Sequence, residues 1–162
     1  MAEGTGFLRP SGDGLELVVP RDIAAPPEDI WAWVSEPDKL EQWIGRVSGE
    51  TGTGKVVELT MTAEASAEPE QVTIIDCDPP KRYQVEMLSE AGSWQLQIDV
   101  RPRGDGTRLE LNQLIEQGDD IRTVGPGWEY YLDRLIAIRS GLAPAPFDDY
   151  YPGLIGYYDD LE

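Results

Sequence analysis

The chain has 162 residues, 31 of them acidic against 13 basic, and a formal net charge of −18. That excess of negative charge repels polyanions, so nucleic acid and membrane are both excluded as partners. No histidine is present, which removes Ser-His-Asp and Cys-His nucleophiles and the usual histidine-bearing zinc sites.

This length suits one domain, able to bury roughly two-thirds of its unfolded-chain surface. The single cysteine forbids an internal disulfide, the habit of cytosolic domains, so a cytoplasmic location is expected. No apolar run approaches the roughly 20 residues that span a bilayer.

Residues 1–14, MAEGTGFLRPSGDG, carry no apolar h-region and read as a flexible N-terminal arm rather than a signal peptide. In residues 15–23, Leu17, Val19 and Ile23 take the two-residue rhythm of a strand with one buried face. Pro26 and Pro27 then open a short helix carrying Ile30, Trp31 and Val34, and Glu36-Pro37 breaks it. A second short helix runs through Leu40 and Trp43.

Five alternating runs follow: Val57, Leu59 and Met61; Val72 and Ile74; Tyr83, Val85 and Met87; Trp94, Leu96, Ile98 and Val100; Leu109, Leu111 and Gln113. Turn signals at Gly52-Thr-Gly54, Asp78-Pro79-Pro80, Glu90-Ala-Gly92 and Gly104-Asp-Gly106 separate them, which predicts an antiparallel meander. Glu58, Glu86, Asp99 and Glu110 alternate with apolar neighbours and are expected to face water.

Two motifs in this region have bland readings. Residues 49–55 fit G-x-x-x-x-G-K, but Val56 stands where a P-loop needs Ser or Thr, and a strand follows instead of a helix. The stretch is read as a hairpin loop. Cys77 lies between Asp76 and Asp78, whose charges suppress thiolate, so it is read as a structural residue.

A long amphipathic helix is predicted over residues 127–141, with Trp128, Tyr131, Leu132, Leu135, Ile138 and Leu142 on its buried face. Gly125-Pro126 opens it, Gly141 closes it, and Glu129 falls on the solvent side. After the spacer at residues 143–146, Phe147, Tyr151, Leu154, Tyr158 and Leu161 recur every three or four residues, with Pro152 placed to open a short helix. This tail, residues 143–162, either docks on its own domain or meets a second copy; its acidic flanks favour self-docking. The pairs Asp119-Asp120, Asp148-Asp149 and Asp159-Asp160 lack calcium-loop spacing and read as solvated surface, so no metal is assigned.

The segment APPEDIWAWVSEPDKLEQWI resembles the opening signature of the START-like (SRPBCC) superfamily, in particular homologues of the heat-shock-protein-90 ATPase activator. DCDPPKRYQVEM, DVRPRGDGTRLELNQ and GPGWEYYLDRLIAI resemble that family's diproline turn, its Gly-Thr-Arg hairpin and its closing helix, in the same order. The resemblance implies an α+β helix-grip fold over residues 15–142. In it a curved antiparallel β-sheet wraps a long C-terminal helix, with two short helices after the first strand. It also implies a cavity between sheet and helix. By position, Trp128, Tyr131, Leu132 and Leu135 would face that cavity from the helix. Ile30 and Trp43 would sit at its base or mouth, and Met61, Met87 and Trp94 on the sheet. Many relatives carry a histidine where this chain has Asn112-Gln113, so chemistry assigned to that histidine does not transfer.

The function implied first is binding of a small apolar, aromatic or lipid-like molecule, with no catalytic residue and no cofactor assigned. A protein-interaction module modulating a chaperone ATPase is the alternative, with a chaperone as its partner. A polyketide cyclase-like enzyme comes third, since it would need a polar group inside the cavity.

Overall fold

The computed structural model describes residues 3–12, 14–61, 68–89, 92–116 and 119–161. Strands β1 (Phe7–Ser11) and β2 (Gly14–Ile23) come first, then helices α1 (Pro27–Ser35) and α2 (Pro37–Trp43). Strands β3 (Arg46–Ser48), β4 (Val56–Thr60), β5 (Glu70–Asp78), β6 (Arg82–Ser89), β7 (Gly92–Arg103) and β8 (Gly106–Ile115) follow. Helix α3 (Ile121–Arg139) crosses the sheet, and a 3-10 turn (Phe147–Asp149) leads to α4 (Ile155–Asp159). All neighbouring strands pair antiparallel in the order β1-β2-β8-β7-β6-β5-β4-β3, an open curved sheet of helix-grip type.

The alternation read from the sequence becomes cross-strand registry. Met87 faces Trp94, Val85 faces Leu96, Tyr83 faces Ile98, and Ile98 in turn faces Leu111. These residues share one face of the sheet because side chains two apart on a strand project to the same side. A register shift between Ile74 and Asp76 breaks the rhythm of β5. Beyond it Ile75 is exposed, and Cys77 pairs with Tyr83. The expected turn at Glu90-Ala91 lies outside the described residues.

Several readings need correction. Part of the stretch read as a mobile arm is β1, paired along its length with β2, so backbone hydrogen bonding holds it despite its polar content. Helix α3 starts at Ile121, before Gly125-Pro126: Asp120 caps it by accepting a hydrogen bond from the Arg122 backbone N–H at 3.0 Å, and Pro126 lies inside the helix. At its far end Leu142 falls beyond the last turn and is exposed. Glu110 points away from the core as its alternation requires, yet it is buried, because Arg101 (3.1 Å), Arg108 (3.3 Å) and Arg9 (3.8 Å) cover it. Finally, α4 begins at Ile155, three residues after Pro152.

The tail joins the same core. Tyr150, Leu154 and Tyr158 are buried, while Phe147 and Tyr151 of the expected stripe stay exposed. Its seat is the row Gly125, Glu129 and Asp133, spaced four apart on α3 and so aligned on one face. A side chain at Gly125 would overlap the Tyr158 ring; glycine lets that ring lie against the helix. The Tyr158 hydroxyl donates to Glu129 Oε2 at 2.7 Å, and the Tyr150 hydroxyl donates to Asp133 Oδ2 at 2.8 Å. Burial, together with these carboxylates, pushes the pKa of both tyrosines well above the ordinary phenol value.

Glu129 is therefore fully buried, contrary to its expected solvent position. It accepts from the Thr5 backbone N–H at 2.5 Å, from the Thr5 hydroxyl at 2.6 Å and from Arg21 at 2.8 Å. Arg21 also binds Asp133 at 2.8 Å. One carboxylate thus joins the N-terminal segment, β2, α3 and the tail.

Candidate functional site

Between the sheet and the helices lies a cavity of about 480 Å³. Its floor is small: Val57 and Leu59 on β4, Val72 and Ile74 on β5, Val85 on β6, with Leu96, Ile98 and Leu111 beside them. Short β-branched side chains leave space above a pleated sheet that longer ones would fill. The roof consists of Trp31 and Val34 on α1, Leu40 and Trp43 on α2, and Trp128 on α3. The exposed Glu36, Pro37 and Thr51, with Ser35, Gly52 and Pro79, form the mouth.

Several polar atoms in the wall are engaged within the protein. Trp43 Nε1–H donates to the Trp33 carbonyl at 2.8 Å, Tyr83 O–H to the Val34 carbonyl at 2.8 Å, and Trp128 Nε1–H to Gln113 Oε1 at 2.7 Å. The Ser35 hydroxyl donates to the Trp31 carbonyl at 2.6 Å. Among the described residues, no buried side-chain nitrogen or oxygen lacks a hydrogen-bond partner. Tyr83 is held neutral far above neutral pH, chiefly by burial. Burial, with Asp76 and Asp78 adding to it, pushes the Cys77 thiol up as well. Away from Glu36 at the mouth, the wall thus presents a largely apolar, uncharged surface whose Trp43, Tyr83 and Trp128 donors are engaged within the protein, able to hold a molecule by shape and dispersion.

Of the nine residues proposed for the cavity, Trp43, Met87 and Trp128 line it. Ile30, Leu132 and Leu135 are fully buried in packed core instead, and Tyr131 packs against Trp128 and Tyr130. Met61 and Trp94 are half-buried against the core but outside the cavity wall. The cavity is offset toward α1, α2 and strands β4–β6, so the later turns of α3 meet solid packing. Sequence reasoning missed Trp31, Leu40, Tyr83 and Cys77, and it favoured long Met and Trp side chains over the small aliphatics that leave the void. A usable signal was present in Val57, Val72, Ile74 and Val85, short aliphatics at inward positions of three consecutive strands.

Residues 49–55 form the β3–β4 connection and carry Thr51 and Gly52 to the mouth, consistent with a hairpin loop. The described residues contain no group of three or more potential metal ligands, and none of their helices is long and apolar enough to cross a membrane.

Residues 24–139 match the model of a family described as activator of Hsp90 ATPase homolog 1-like protein. No curated protein matches the sequence. Among solved structures, the crystal structure of CalU16 from Micromonospora echinospora is similar at a TM-score of 0.79 and 20% identity, over 99% of this chain and 97% of that one. The solution structure of the BPP1335 product of Bordetella parapertussis is similar at 0.73 and 21%, over 98% and 94%. DynU16, a protein of the dynemicin biosynthetic locus, is similar at 0.67 and 17%, over 78% of this chain and 48% of that one. At such identities the likeness is one of fold.

Proposed function

We propose, for a chain that belongs to the activator of Hsp90 ATPase homolog 1-like family of the START-like superfamily, that it binds a small apolar or aromatic molecule in its internal cavity. The observation that carries this reading is a void of about 480 Å³ whose wall is largely apolar and whose Trp43, Tyr83 and Trp128 donors are engaged within the protein. Water in such a space would find few partners, so an apolar occupant gains the free energy of leaving water without displacing well-bonded solvent. The fold neighbour from the dynemicin biosynthetic locus is consistent with a role beside small-molecule biosynthesis. The wall offers no charged group beside the floor, which argues for holding a ligand rather than for acid–base chemistry on it.

A neutral apolar aromatic at about 100 times its dissociation constant should add about 2.7 kcal/mol of stability. The melting temperature should then rise by roughly 2–8 °C. Val85→Trp, which fills the void from the sheet side, should fold and lose that rise. A rise of equal size in the filled variant would contradict the reading.

A second reading, an interaction module acting on a chaperone ATPase, is favoured by Phe147 and Tyr151, which stack at 6.1 Å on the surface and are both exposed. Exposed paired aromatics are a common feature of protein contacts.

A further inference from the structure

We infer that the cavity selects its occupant by charge, admitting neutral or amine-bearing apolar molecules and rejecting carboxylates, with Glu36 as the residue that sets the preference. The inference rests on the reading of the cavity as a ligand site and names the class of ligand.

The titratable groups in the wall are Glu36, Cys77 and Tyr83, and no lysine or arginine lines the cavity. Cys77 and Tyr83 are neutral at physiological pH. Glu36 is exposed at the junction of α1 and α2, where its backbone closes one helix and caps the next. Its carboxylate has no ion-pair partner among the described residues.

Most of the cations nearby have partners elsewhere, and Arg134 donates to the Trp43 carbonyl at 3.1 Å. Lys39 sits over the Trp33 ring at 5.0 Å, Arg46 pairs with Glu41 at 3.1 Å, and Lys55 lies 3.7 Å from Glu50. On the β5–β6 side, Arg82 pairs with Asp76 at 3.5 Å. The net charge of −18 adds a repulsive field over the whole surface.

A carboxylate carried into the cavity would lose its hydration, and the Trp43, Tyr83 and Trp128 donors around it already have acceptors in the protein. Held at the mouth instead, it would face the carboxylate of Glu36. An ammonium at the mouth meets the opposite case: it stays hydrated and pairs with Glu36 while its apolar body enters. An uncharged hydroxyl lies between the two.

The test uses three probes with one ring system: 2-(1-naphthyl)ethylamine, 2-(1-naphthyl)ethanol and 1-naphthylacetate, titrated calorimetrically into the full chain at neutral pH and low salt. The acid should bind at least about tenfold more weakly than the alcohol, because its charge is left without a partner. The amine should bind about two- to fivefold more tightly than the alcohol, the range of an exposed ion pair. Glu36→Gln should abolish the lead of the amine, and Glu36→Lys should bring the acid to parity with the alcohol or beyond. Acid binding as tight as alcohol binding in the wild-type chain, or an amine lead that survives Glu36→Gln, would overturn the charge preference alone. Failure of all three probes to bind the folded chain would overturn the cavity reading itself.

Discussion

Replacing Glu129 with alanine is expected to cost about 3–5 kcal/mol of folding stability, read from the midpoint of chemical denaturation at neutral pH. The carboxylate is fully buried, and five donors converge on it: the Thr5 backbone and hydroxyl, the Gly6 backbone N–H, Arg21, and the Tyr158 hydroxyl. Alanine removes the acceptor and leaves the buried Gly6 N–H, Arg21 and Tyr158 donors unmet, and each unmet buried donor carries its own desolvation penalty. Asp133 keeps one hold on Arg21 at 2.8 Å, which limits the loss. Glu129→Gln keeps the shape and loses the charge, so it should fall between wild type and alanine. A loss under about 1 kcal/mol for alanine, the size of an ordinary surface change, would show that the carboxylate is in water.

The second large effect is expected at Tyr158, whose ring is fully buried against Gly125 and whose hydroxyl ends on Glu129. Tyr158→Ala should cost about 3–5 kcal/mol by loss of a buried aromatic. Tyr158→Phe, which keeps the ring and deletes only a hydrogen bond to a charged acceptor, should cost about 1.5–3 kcal/mol. The tail packs on α3 of its own chain, so neither change should alter the mass measured by light scattering. A dimer in the wild type that Tyr158→Ala converts to a stable monomer would place the tail between subunits instead.

The contrast between neighbours Trp128 and Glu129 shows where sequence reading works. A single apolar stripe on α3, through Trp128, Tyr131, Leu132 and Leu135, was legible because one face of the helix meets the sheet. The other face carries Gly125, Glu129 and Asp133, which look like solvent positions by hydropathy. They are covered by segments more than 20 residues away along the chain in the case of Tyr158, and more than 120 in the case of Thr5. Periodicity within one helix cannot register a cover supplied from elsewhere, though the four-residue spacing of Gly, Glu and Asp was visible. The same limit hid Glu110, whose strand alternation was read correctly but whose three arginines come from three different strands. Asp120 illustrates a different loss: a helix cap and a surface acid are the same residue type, and the Gly-Pro pair beginning five residues on drew the start of α3 too late. A cavity was expected from the fold resemblance alone. Its location depended on where side chains are short, which is a statement about Val57, Val72, Ile74 and Val85 rather than about the aromatics that first attract notice.

The central claim, an apolar molecule held inside the sheet–helix cavity, is tested most directly by methyl-resolved NMR of the full chain titrated with 2-(1-naphthyl)ethanol. Binding inside should shift the methyl signals of Val72, Val85, Met87 and Leu111 and produce ligand-to-methyl contacts at those residues, all of which line the void. Unmoved signals at those four positions at millimolar ligand, or shifts confined to the surface around Leu142 and Ile155, would contradict it.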